Sequence, residues 1–161
     1  GNTNTLVLGG NNSYSGGTII SSGTLQVGAG RTSGSIGGNV SNNGALVFNR
    51  RDDLAVAGAI SGMGSLTQAG TGTLILTGAN TFTGGIFIRQ GSLGAGSDAN
   101  LGGASSAITL QGGLLKVNGT SLTNIDAHTV NWSTFNGGFD VASASNTFTV
   151  NSNISGSGSV S

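Results

Sequence analysis

The chain contains no cysteine, no proline and no glutamate; all five acidic residues are aspartate. Without cysteine no redox compartment can be assigned, although the absence suits a chain that crosses membranes unfolded, where a premature disulfide would jam it. Charge is scarce: 6% of residues are charged, five basic against five acidic, for a formal net charge of zero. That balance argues against a nucleic-acid partner, which demands clustered Lys and Arg. No apolar run approaches the ~20 residues needed to span a bilayer, so the chain is not expected to insert into one. No secretory signal is visible. Helix is also excluded by what is missing, because no stretch keeps a 3.6-residue apolar period free of Gly for three turns.

What is present is small and polar. Gly, Ser, Thr and Asn make up 89 of the 161 residues, while 35% are apolar. A disordered chain has few β-branched residues and usually a high net charge. Here Leu, Val, Ile and Ala recur in short clusters, the pattern of an all-β chain of short strands and frequent turns.

Internal repeats organise those strands. Thr5–Gly28 and Thr73–Gly96 match at 11 of 24 positions without a gap. A second element, Leu54–Thr67, matches Phe148–Ser161 through a shared I-S-G-x-G-S-[LV]. The first element runs on directly from the second at Gly70–Gly78, and both ends of the chain read as cuts through a longer array. The expected organisation is therefore a single β-helix segment over 1–161, a fragment of a longer protein. Beneath the repeats lies a finer period near 20 residues. One strand series starts at Leu6, Leu25, Leu46, Leu66, Leu93, Leu114, Phe139 and Val160, and a second falls near Ile19, Val40, Val56, Ile86, Ile108, Val130 and Phe148.

A coil of about 20 residues with three corners closes on itself and pairs with the next coil as parallel strands ~4.8 Å apart. One coil cannot bury its own apolar face, so stacking is what builds the core. The expectation is a single-stranded right-handed parallel β-helix of six to eight coils. Alternation turns Leu74, Leu76, Ile86 and Ile88 to one side, with Thr73 and Thr77 facing solvent, and Leu6, Leu8, Leu25 and Leu93 are expected as structural positions of the repeat. Gly16, Gly17, Gly84 and Gly85 are expected at matched corners, Gly23 and Gly91 ahead of strands. Asn12 and Asn80 are expected to tolerate left-handed backbone or to form ladders between coils.

At these residues the sequence resembles a known family. T-L-x-L-T-G-x-N-T-[FY]-T-G-G-x-x-I-x-x-G-[TS]-L is the autotransporter-associated β-strand repeat, also called the passenger-associated transport repeat. It stands here from Thr73 through Gly85 and continues to Ile88, Gly91, Ser92 and Leu93. The first copy departs from it at Gly9, Ser13 and Ser15. The resemblance implies a type V secretion passenger of a Gram-negative cell: a β-helix at the cell surface, joined to a C-terminal outer-membrane β-barrel not present in this chain, and associated with adhesin-like proteins. Its partners would be that barrel and neighbouring β-helix coils of the same passenger.

Chemistry-bearing constellations are few. His128 is the sole histidine, no G-x-S-x-G elbow accompanies it, and it reads as a loop or coil-face residue. Asp98, Asp126 and Asp140 are scattered, with neither Cys nor paired His to hold a metal, so no cofactor is expected. Arg50-Arg51-Asp52-Asp53 is the densest charged cluster and reads as a solvated loop with local pairing, or as a ligand contact. Trp132 and Phe135 form the densest aromatic spot, read either as corner filler or as a platform for a sugar. The expected function is a non-enzymatic stalk. The alternatives are an adhesin that grips a host glycan or matrix protein through loops at Arg31–Gly37 or Arg50–Asp53, and, more remotely, a polysaccharide-processing enzyme.

Overall fold

A computed structural model describes residues 4–154. Among them are thirteen short strands, paired throughout in parallel, and two short 3-10 turns, Asp98–Leu101 and Trp132–Thr134. The strands form three faces. The first holds Thr5–Leu8, Thr24–Arg31, Ala45–Arg50, Ser65–Gln68, Ile86–Ile88 and the start of Ile108–Val117. The second holds Leu54–Val56, Thr73–Leu76, Ser92–Ala95, the end of Ile108–Val117 and Asn136–Val141. Thr18–Ile20, Val40–Asn42 and Ile60–Ser61 make the third. The chain visits them in the order first, second, third, and then begins the next coil. This is a β-solenoid.

Register on the first face counts the coils. Leu6, Leu25, Leu46, Leu66, Ile86, Ile108 and Val130 stand above one another, one per coil, which makes seven coils. Six of the seven are buried. Burial is worth roughly 1.5–3 kcal/mol for each such side chain, and no coil achieves it alone. Leu6 is 62% exposed because its strand has a single neighbour, Thr24–Arg31. On the second face Leu74, Leu93 and Leu115 form another buried column, with Leu76, Ala95 and Val117 beside it. The inward positions are apolar every second residue because the pleat alternates.

The two strand series read from the sequence need correction. Each series crosses between faces. Leu6, Leu25, Leu46 and Leu66 lie on the first face, whereas Leu93, Leu114 and Phe139 lie on the second. Ile19 and Val40 belong to the third face, Val56 to the second, and Ile86, Ile108 and Val130 to the first. The position expected at Val160 lies outside the described residues, as do residues 155–161 of the second element. The cause is a symmetry the sequence hides. Three similar short strands per coil make the faces nearly interchangeable, so spacing alone cannot say which face a strand occupies.

The same symmetry governs the long repeat. Thr5–Leu8 sits on the first face, but its counterpart Thr73–Leu76 sits on the second. Thr18–Ile20 sits on the third face and its counterpart Ile86–Ile88 on the first; Thr24–Val27 sits on the first and Ser92–Ala95 on the second. Every strand of the second copy is advanced by one face. The repeat is thus a strand-and-corner sequence that can enter the coil at any of three places.

Glycine shapes its corners in two ways. Gly17 and Gly85, matched in the repeat, have φ of +84° and +90°, a backbone region closed to most L side chains. Gly84 has ordinary backbone angles but presses on the coil below: a Cβ there would come within 2.5 Å of the Met63 carbonyl oxygen. Gly16, its partner in the repeat, has open space around it.

Of the two roles expected for the asparagines, left-handed backbone is not used, and the bonding between coils is to backbone rather than from amide to amide. No non-glycine residue among those described has positive φ. Asn side chains instead pair with backbone in the neighbouring coil. Buried Asn80 accepts the Ile60 N–H at 2.8 Å from the coil below and donates to the Asn100 carbonyl at 2.7 Å in the coil above. Asn39 and Asn43 accept from Ala59 and Met63, each 20 residues on. Asn12 donates to the Ser35 carbonyl at 2.8 Å. Corner amides left unpaired by the strand ladder are satisfied in this way, as buried backbone groups must be.

Candidate functional site

Charge collects on one edge. Where the chain leaves the first face, Arg31 stands in register with Arg50, and the Arg51 N–H donates to the Arg31 carbonyl at 3.2 Å. Two coils further on, Arg89 donates its N–H to the Gln68 carbonyl at the end of the same face. All four arginines of the chain therefore lie along one corner of the solenoid, with Asp52 and Asp53 among them.

Their roles differ. Arg50 is an internal clamp, its side chain only 11% exposed. Its guanidinium donates to the Gly34 carbonyl at 2.6 Å and the Thr32 carbonyl at 2.7 Å, both in the coil below. It also grips Asp52 bidentately, at 2.9 and 2.7 Å. The sequence suggested a solvated loop, but this arginine caps carbonyls left open where the first face ends. The hydrogen bond from Arg50 holds the Asp52 carboxyl below its usual range, with partial desolvation opposing it. Asp53 accepts the Thr73 N–H at 3.1 Å and so ties its corner to the next coil. Arg31, Arg51 and Arg89 are exposed and form no ion pair among the described residues.

The Asp52 pairing gives a pH prediction. A carboxyl whose folded pKa is depressed adds stability that is complete above its unfolded value, about 3.9, and is lost as pH falls through the lower folded value. The difference in unfolding midpoint between wild type and Asp52→Asn should be constant above about pH 5 and shrink below pH 4. A difference independent of pH down to acid unfolding would remove this role for the pair.

Other polar groups gather without forming a reactive site. His128 is buried; its Nδ1 lies 2.9 Å from the Ser106 carbonyl oxygen in the coil below. Its Nε2 is 3.2 Å from Asp98 Oδ1, approached off-axis without a hydrogen bond. The Ser106 hydroxyl is buried and bonded to neither. Asp, His and Ser thus meet, but no hydroxyl is aligned on the imidazole, as nucleophile activation demands. Among the described residues no three acidic or histidine side chains could hold a metal. Lys116 and Asp140, neighbours across the second face, are 3.7 Å apart and half exposed; such pairs contribute little.

Trp132 is turned inward. It is 7% exposed, packs on Phe135 at 5.0 Å and Phe139 at 6.4 Å between ring centroids, and donates its indole N–H to Ser152 Oγ at 3.2 Å. With Phe148 packed at a tilt on Phe139, 5.5 Å between centroids, these rings fill the solenoid where its coils lengthen. Little indole face is left for a sugar. The signal that could have told filler from platform was the aromatic density itself, since four rings within 17 residues have enough partners to bury one another.

The stacked coils and their corners define a solenoid scaffold built on repeats. Residues 2–27 and 66–95 match the passenger-associated-transport-repeat family model. Over 55 residues, 34% of this chain, the sequence is 60% identical to a Brucella suis biovar 1 (strain 1330) protein called Adhesin BmaC autotransporter; the match spans 2% of that protein. No solved structure matches the chain. The repeats and the fold together fit an autotransporter passenger stalk.

Proposed function

We propose that this segment is a rigid stalk within an autotransporter passenger displayed at the cell surface. It would be anchored through a C-terminal outer-membrane β-barrel elsewhere in the protein and would hold more distal regions away from the cell. The observation that carries the reading is the unbroken inward column through seven coils, each closed by hydrogen bonds to its neighbours. Such a stack is quasi-one-dimensional: each coil contacts only the next, and contacts are local in sequence. Coils that fold one after another outside the membrane cannot slip back, which would assist export. The similarity to a protein named as an adhesin is consistent with a surface location.

In-frame removal of residues 25–85, close to three coils, from the full-length protein tests both roles. The stalk reading expects a shorter passenger by electron microscopy and a lower surface yield by protease accessibility. Unchanged length and yield would remove both roles.

A further inference from the structure

The geometry points to the arginine corner as a docking edge for a linear sulfated polysaccharide, a role beyond that of a stalk. The zero net charge of the chain is unevenly spread. Four of its five basic residues and two of its five acids lie on this corner; the remaining three acids and Lys116 lie elsewhere. Both acids of the corner are already engaged, Asp52 by the Arg50 clamp and Asp53 by the Thr73 N–H. Asp53 keeps its charge, since a backbone N–H does not neutralise a carboxylate, and Arg51 also attracts Asp52. Four arginines against two aspartates leave the corner an excess of two positive charges, with Arg31, Arg51 and Arg89 exposed.

Their placement selects the ligand class. Arg31 and Arg51 lie at the ends of successive coils, with backbones about 4.8 Å apart along the axis, and Arg89 lies two coils further on, roughly 10 Å away. No single small anion reaches all three, whereas an extended polyanion laid along the solenoid does. Neighbouring coils need closely spaced anions, which a densely sulfated chain supplies and a polymer with a single carboxylate per disaccharide does not. Guanidinium matches tetrahedral oxyanions through paired N–H donors, and all three cations here are Arg rather than Lys. Single-stranded nucleic acid calls for successive aromatic platforms. Of the two rings nearby, Phe48 is buried and Phe87, two residues before Arg89, is half-buried.

The test uses the 161-residue chain with heparin, hyaluronan and single-stranded DNA as probes at about 50 mM salt, followed by a salt titration. Wild type should bind heparin with strong salt dependence and bind hyaluronan and DNA at least about tenfold more weakly. Arg31→Gln/Arg51→Gln/Arg89→Gln should lose about tenfold or more in heparin affinity and lower the salt slope by about two. Its thermal transition should be unchanged, because Arg50 is untouched. Should the triple variant not fold, Arg89→Gln alone, which removes no side-chain bond, should still weaken binding, and Lys116→Gln should not. Heparin binding that is absent in wild type, indifferent to these substitutions, or matched by DNA would overturn the proposal. None of these outcomes bears on the stalk reading, which is judged by passenger length.

Discussion

Leu74→Asp should cost about 4 kcal/mol or more and Thr77→Asp almost nothing, although only three residues separate them. Leu74 is 1% exposed and stands between Leu54 and Leu93 in the second-face column. A carboxylate there would lose its water with no cation to meet it. Buried unpaired charges are among the few causes of such large single-site losses. Thr77 is exposed just past the same strand; its backbone N–H, which bonds the Val56 carbonyl at 3.1 Å, survives substitution, and only a long 3.5 Å hydroxyl bond to that same carbonyl is lost. Urea unfolding of the two variants checks the prediction. Equal midpoints would show that the inward column is misassigned.

The second large effect is expected at Asn80. Substitution by Leu keeps the volume roughly constant but strands two buried backbone groups, the Ile60 N–H and the Asn100 carbonyl. Each costs about 1–3 kcal/mol to leave unpaired, so Asn80→Leu should destabilise by about 2–5 kcal/mol. Asn12→Leu, at the matching position of the first repeat, should cost about 1 kcal/mol or less, because Asn12 is only half-buried and water can replace its bond to Ser35. Amide exchange at Ile60 should speed up in the Asn80 variant. If the two asparagines proved equally costly, burial would not be what sets their worth.

These positions show what the sequence makes legible. Alternation alone identified Leu74 and Leu76 as inward and Thr77 as outward, because a half-buried strand leaves a period of two that no other structure produces. Coil length was readable too, since closing three short strands fixes it near 20 residues. Face assignment was not. Leu66 and Leu93 look like successive members of one series, and only register shows that they occupy different faces. Arg50 was equally opaque. The carbonyls it caps, Thr32 and Gly34, lie 18 and 16 residues back, at an interval that has meaning only once the coils are stacked. Arg51 stands in a charged cluster and Arg31 in a loop of the sequence; that they form one edge with Arg89 depends on the same stacking.

The one-face advance between the two repeats has a consequence for how such a rod changes length. If copies are duplicated or lost by recombination between Thr5–Gly28 and Thr73–Gly96, the inserted or deleted piece is three coils and one face, never a whole number of coils. The stack tolerates this because any face accepts the incoming strand. Everything beyond the junction would, however, be rotated by a third of a turn about the axis. Growth by recombination thus re-aims whatever the rod carries as it lengthens, so that length and direction of display are inherited together.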